Sequence, residues 1–283
     1  MPPFLMAGVR FVIAGVLLYG WARLRGAERP TRRMWAAAAI VGSLLLLGGN
    51  GAVVWAEQLV PSGVAALLVA IVPCWMVLID WLRPGGTRPT TAVVVGVLLG
   101  LAGLALFVGP DALLGGGRTH PVGAAVLVFG SLAWAAGSIY SRHAAMPPRP
   151  LLGTGMQMLA GGAALLIASI IAGEGANFEI AAVSTRSLLA LAYLIVFGAI
   201  IGFSAYLWLL RVSTPARVST YAYVNPIVAV LLGWALAGEA LTMRMGIAAA
   251  IIIAGVALIT ASRSRTRRPV GRAGEPGRER PAA

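Results

Sequence analysis

Apolar residues along this chain fall in long unbroken runs rather than in the alternation of a half-buried strand or the single stripe of a surface helix. The runs cover 4–24, 34–56, 62–82, 91–109, 121–141, 150–173, 187–210, 215–237 and 245–262. Each is close to the roughly 20 residues that a helix needs to cross about 30 Å of hydrocarbon. Strands of an outer-membrane barrel would be about ten residues long and alternate in polarity; these runs are twice that length and apolar throughout. Nine membrane-spanning helices are therefore predicted. The bilayer core offers no water to satisfy backbone groups, so the expected fold is an all-α polytopic bundle.

Composition agrees with that pattern. The chain of 283 residues is 59% hydrophobic and 11% charged, where soluble domains average about 25% charged, and its mean hydropathy is +0.88. The net charge of +13 comes from basic residues that are all arginine, and they alternate between loops. Residues 22–34 hold Arg23, Arg25, Arg29, Arg32 and Arg33, and residues 57–61 hold none. Arg83 and Arg88 are followed by Arg118 alone, Arg142 and Arg149 by Arg186 alone, and Arg211 and Arg217 by Arg244 alone; seven more follow residue 262. The positive-inside rule puts the arginine-rich loops and the C-terminus in the cytoplasm and the N-terminus outside. The excess charge thus marks topology in a bacterial-type inner membrane, and no nucleic-acid partner is expected. Residues 263–283, "RSRTRRPVGRAGEPGRERPAA", mix arginine with Pro and Gly, and read as a disordered basic cytoplasmic tail able to rest on anionic lipid.

Comparing the chain with itself reveals a repeat. "WAEQLVPSGVAALLVAIVP" from Trp55 and "WLLRVSTPARVSTYAYVNP" from Trp208 share the spacing of Trp and Pro; "AGLAL" at 102–106 answers "AGVAL" at 254–258. "PFLMAGVRFVIAG" from Pro3 answers "PLLGTGMQMLAGG" from Pro150, matching Gly8 with Gly155 and Arg10 with Gln157. The expected units are 1–110, with four helices, and 121–262, with five. A five-helix unit repeated once lies in opposite orientations, the inverted repeat of secondary transporters. The partner of span 121–141 is absent, so an in-frame apolar helix upstream of Met1 is expected.

"PPFLMAGVRFVIAGVLL" at 2–18, "GNGAVVWAEQLVPSGVAAL" at 49–67 and "YAYVNPIVAVLLGWALAGEAL" at 221–241 closely resemble the EamA-type carriers of the drug/metabolite transporter superfamily, in particular its inner-membrane exporters. The resemblance covers nearly everything from 2 to 262. It implies ten helices, nine of them present here, in an inverted repeat that exports small metabolites, often amino acids or toxic compounds, by alternating access.

Paired midplane prolines point to where a substrate would sit. Pro226 is eleven residues beyond Pro215 and Pro73 twelve beyond Pro61, which puts both about 16 Å deep. Each would break its helix by freeing the carbonyl four residues back, Ala222 or Val69; matched breaks in two repeats are the best sequence pointer to a transporter site. Tyr221, Tyr223 and Asn225 surround Pro226, whereas the first copy has Leu68, Ala70 and Val72. Tyr221 and Asn225 share a helix face and are expected to line the cavity, although Tyr221 also fits an interfacial aromatic belt. Asn50 in "GGNGA", Trp134 and Tyr140 in "SLAWAAGSIY", Gln157, Tyr206 and Trp208 complete the substrate-binding candidates. An arginine inside a span needs a partner. Glu57 lies at the end of the neighbouring span, and an Arg10–Glu57 ion pair is expected as gate, carboxylate binder or structural tie. Asp80 and Glu239 sit at span ends near Arg83 and Arg244.

Enzymatic chemistry finds no support. His120 and His143 fall in or beside loops, no carboxylate pair reaches midplane, and the lone Cys74 has no polar neighbour to activate it. One cysteine and two loop histidines make no metal site, and no cofactor is expected. The expected partners are a small molecule, the lipid bilayer and, if transport is coupled, protons carried by Glu57; a homodimer, a passive channel and a non-transporting scaffold stay open.

Overall fold

The computed structural model describes residues 1–60, 62–108, 120–176, 178–179, 183–237 and 242–262, and every regular element among these is helical. Eight rods are long and apolar enough to cross a membrane: Pro3–Leu24, Arg32–Ala56, Val64–Leu82, Thr91–Val108, Pro121–Ser141, Pro150–Ile171, Thr185–Val212 and Met243–Ala261. They account for eight of the nine predicted spans. The ninth, expected as one helix over 215–237, consists of two pieces, Pro215–Ser219 and Tyr221–Ala237. Glu239 and the tail at 263–283 lie outside the described residues.

Helix ends follow local chemistry. Hydroxyls of Thr31, Ser184, Thr214 and Thr242 each accept from a backbone N–H three residues on, the standard N-cap. The first helix, α1 (Pro3–Leu24), has no such hydroxyl; the Glu174 carboxylate instead accepts from the Phe4 and Leu5 amides at 3.1 and 2.8 Å. That is where a negative charge complements a helix N-terminus.

Two helix crossings organise the bundle. In the first, α1 packs antiparallel on Pro150–Ile171, which is α8 in chain order after α2 (Arg32–Gly42), α3 (Ala52–Ala56), α4 (Ser62–Val69), α5 (Val72–Leu82), α6 (Thr91–Val108) and α7 (Pro121–Ser141). Only glycine permits the approach. A Cβ on Gly15 would sit 2.8 Å from the Leu159 amide nitrogen and 3.0 Å from the Gly155 carbonyl, and one on Gly155 would sit 3.2 Å from the Gly15 carbonyl. The second crossing joins α6 to the last described helix, Met243–Ala261. There Gly96 and Gly255 lie against each other's carbonyls, and Gly103 lies against that of Ala248. Small residues let membrane helices pack backbone to backbone.

Each crossing pairs a helix with its own counterpart in the sequence repeat. Gly8 and Gly155 are equivalent, as are Gly15 and Gly162; Gly15 meets Gly155 while Gly162 meets the Gly8 carbonyl. Reciprocal contact of equivalent positions is the signature of a two-fold arrangement. Gly26 and Gly173 share the same spacing and close α1 and α8 with positive φ, 77° and 68°.

The second and seventh rods each contain a π-helical segment, Ser43–Gly51 and Leu194–Phe203. Both end a few residues before the repeat tryptophans, Trp55 in α3 and Trp208 in the helix Ser204–Val212. Wide π-turns are rare and concentrate at functional sites.

The two prolines behave differently. At Pro73 the rod does break: α4 ends at Val69, the Ile71 amide reaches only to Leu68 three residues back, and α5 starts at Val72 with Pro73 in its first turn. Pro226 instead lies inside Tyr221–Ala237, which continues through it. The discontinuity falls earlier, at Thr220, whose hydroxyl bonds the Arg217 carbonyl at 2.7 Å and competes with the helical pattern there. The sequence pairing therefore locates a break in both halves but misplaces the second by about two turns.

Candidate substrate cavity

At the centre is a cavity of about 440 Å³ lined from α1, the two π-helical segments, α7 and the residues around Tyr221, within the usual range for small-molecule sites of about 300–1,000 Å³. One wall is a hydrogen-bonded aromatic cluster. The Trp134 indole N–H donates to the Tyr206 hydroxyl at 2.9 Å, that hydroxyl lies 2.6 Å from Ser138 Oγ, and Ser138 donates to the Trp134 carbonyl at 2.6 Å. Because Trp134 can only donate and the Ser138 proton is committed to a carbonyl, the Tyr206 proton must point to Ser138. The loop of bonds fixes the rings: Trp134 and Tyr206 sit 5.3 Å apart, and Tyr221 meets Tyr206 edge-on at 5.3 Å. Phe203 continues the wall toward Phe11, with ring centroids 6.1 Å apart.

Arg10 closes the other side. It is 8% exposed; one terminal nitrogen donates to Asn50 Oδ1 at 2.8 Å, and the guanidinium carbon lies 4.3 Å from the Phe11 ring centre. Asn50 reaches this position from the first π-helical segment. Its neighbour Gly49 leaves the room that the Trp134 ring occupies, since a Cβ there would meet ring carbon Cε3 at 2.6 Å. Of the glycines in "GGNGA", Gly49 thus serves close packing of an aromatic against backbone, while Gly48 and Gly51 make room for Ala133 and Leu165.

Two further spaces adjoin the cavity through shared residues. One of about 150 Å³ borders Asn50, Trp134, Tyr221 and Ser131, beside the break before Pro73; Ser131 Oγ accepts from the Trp75 indole at 3.2 Å. The other, about 420 Å³, contains Tyr221, Asn225 and Pro226 and runs out to Ser62 and Glu57. Tyr221 and Asn225 border both large spaces, as their shared helix face predicts.

Comparison with known proteins decides the family. The model of the EamA-like transporter family matches residues 1–109 and 121–261. The chain belongs to that family. The Escherichia coli K12 protein "Uncharacterized inner membrane transporter YedA" is 43% identical over 260 residues, covering 92% of this chain and 82% of that protein. The Bacillus subtilis "Uncharacterized transporter YvbV" is 23% identical over 95% of this chain and 87% of its own length. A solved structure titled "Crystal structure of protein" superposes with a TM-score of 0.74 at 25% identity, covering 92% of this chain and 88% of its own. Family membership makes the chain a membrane transporter and not an enzyme.

Within this EamA-like chain the predicted site residues separate. Arg10, Asn50, Trp134, Tyr206, Tyr221 and Asn225 come together around the cavity. Tyr223 does not: it is fully buried on the opposite face of its helix, donates to the Val97 carbonyl at 3.2 Å and fills the space left by Gly100. Tyr140 and Trp208 point outward, 39% and 54% exposed. Gln157 is buried where α2 crosses α8, with its amide nitrogen against Met146 Sδ at 3.5 Å. The Arg10–Glu57 ion pair is not formed. Arg10 bonds the deeper Asn50 instead, while Arg83 pairs with Asp80 at 2.7 Å. Ser138, Phe203 and Phe11 were missed; the spacing of Ser138 four residues after Trp134 was the available signal.

Proposed function

We propose that this chain is a secondary carrier that exports a small metabolite or drug-like molecule by alternating access, with the central cavity as its binding site. The observation that supports this reading is one cavity in which Tyr221, Asn225, Tyr206, Trp134, Asn50 and Arg10 converge between the two π-helical segments. Aromatic walls with a few placed polar groups are what a modest organic substrate requires. The units 1–110 and 121–262 are read as inverted repeats, and the reciprocal glycine contacts support a two-fold axis between them. The inner membrane is the expected location, as in the name of the E. coli relative, with the N-terminus outside and the C-terminal tail in the cytoplasm.

Glu57 is the candidate proton carrier. It borders the space that reaches Tyr221 and Asn225, and partial burial raises its carboxyl above the ordinary range. Purified chain in proteoliposomes, challenged with an amino-acid and drug panel, should show saturable uptake accelerated by substrate on the far side. Asn225→Ala and Tyr221→Phe should reduce it without loss of folded protein, and Glu57→Gln should abolish uptake driven by a pH gradient. Flux without counterflow acceleration would mean a channel; no flux across the panel would remove the carrier reading.

A further inference from the structure

Resting on the carrier reading, we infer that the substrate bears a carboxylate and that Arg10 binds it, with the aromatic wall taking an apolar or aromatic body. Arg10 lies within a membrane-spanning helix, faces the cavity and is more than nine-tenths buried. A structural arginine in such a place is normally matched by a carboxylate from a neighbouring helix. Here the neighbour is the neutral Asn50 amide, which takes one N–H, and the buried Nε has no acceptor at all. The charge is therefore uncompensated by protein among the described residues, and the donors left over are those a carboxylate uses. The planar fork of a guanidinium suits that head group in bidentate fashion.

The rest of the cavity limits what hangs from the carboxylate. Phe203, Trp134 and Tyr206 supply ring faces, and the described lining has no acidic side chain to receive an ammonium. Glu57 belongs to the adjoining space and not to this one. Asn50 acts as a positioning residue, holding the guanidinium over the Phe11 ring through one terminal nitrogen and leaving the other terminal nitrogen for the head group. A monocarboxylate with an aromatic or apolar body fits this distribution better than an amine or a neutral sugar.

Three probes that share a ring and differ in head group test it: phenylacetate, phenylacetamide and phenethylamine. Calorimetry on the full chain in nanodiscs should show phenylacetate binding at least about tenfold tighter than the amide, the usual discrimination of a charge-assisted hydrogen bond. Arg10→Gln should erase that preference, bringing acid and amide to equal affinity, and Arg10→Lys should keep part of it. Equal affinity for acid and amide, or a preference that survives Arg10→Gln, overturns the inference while leaving the carrier reading intact. Failure of all three probes to bind folded protein also overturns it, and the carrier reading then stands or falls on the broader counterflow panel. If Arg10→Gln does not elute as a monodisperse helical protein, the acid-to-amide ratio of the native chain decides alone.

Discussion

A methyl group added at Gly155 should separate the two helices that hold the bundle together. The new Cβ would lie 2.7 Å from the Tyr19 amide nitrogen and 3.2 Å from the Gly15 carbonyl, where ordinary contact begins at 3.4 Å. These are backbone atoms of a helix, so no rotamer change relieves the clash, and α1 must move away by about 0.7 Å or tilt. Overpacking of that kind costs about 1–3 kcal/mol. Alanine also returns about 1 kcal/mol of helix propensity relative to glycine, which would hide part of the loss. Gly20→Ala supplies the correction, because Gly20 is helical and a Cβ there meets nothing within 4 Å. The difference between the two variants isolates the clash, and it is expected at about 1–3 kcal/mol in favour of Gly20→Ala. Thermal melts followed by circular dichroism in one detergent would measure it. If Gly155→Ala melts at or above Gly20→Ala, the α1–α8 contact is looser than described and the two-fold packing argument fails.

Three smaller perturbations test other contacts. Tyr206→Phe leaves the Trp134 indole N–H without its acceptor; about 1–3 kcal/mol of stability should be lost, with a shift in Trp emission, and retention of both would show the hydrogen-bonded wall to be dispensable. Tyr223→Phe removes the bond to the Val97 carbonyl and should lower stability by about 0.5–1.5 kcal/mol while leaving transport per folded molecule unchanged, the reverse of Tyr221→Phe. Arg142→Ala deprives the Leu210 and Ser213 carbonyls of their shared cation; hydrogen exchange should quicken at the end of the Ser204–Val212 helix, and unaltered protection would show that the helix end holds without it.

Depth along a span was legible in the sequence; rotation about its axis was only partly so. Hydrophobic run length located eight spans, and the repeat matched Gly8 with Gly155 but did not show that each packs against a different glycine of the other helix. Arg10 was rightly read as needing a partner, but matching leaflet depth could not say which residue of the neighbouring span turns toward it. Asn50, two turns before Glu57, does. Tyr221 and Tyr223 illustrate the same limit. Two residues apart on a helix they must face nearly opposite ways, and which one faces the cavity depends on a partner far away in the chain: Gly100 leaves space that only the Tyr223 ring fills. Tyr140, six residues past Trp134, turns out of the bundle for the same geometric reason.

The π-helical segments were not legible at all, because nothing in "SLLLLGGNG" or "LIVFGAIIGF" departs from ordinary apolar helix. Their placement still follows from what flanks them. A turn closed by i→i+5 bonds holds more residues than an α-turn, so the helix face after it is rotated relative to the face before. In the second rod this lets α2 press Gly42 against α8 while Asn50 and Gly49 turn to Arg10 and Trp134. A regular helix keeping Gly42 on α8 would not also present Asn50 at the same angle. The seventh rod uses the same device to bring Gly198, Gly202 and Phe203 to the cavity while Tyr206 follows on the regular turn beyond. The irregular backbone thus sits where two packing demands on one helix disagree, and in both halves of the chain that place is the cavity wall.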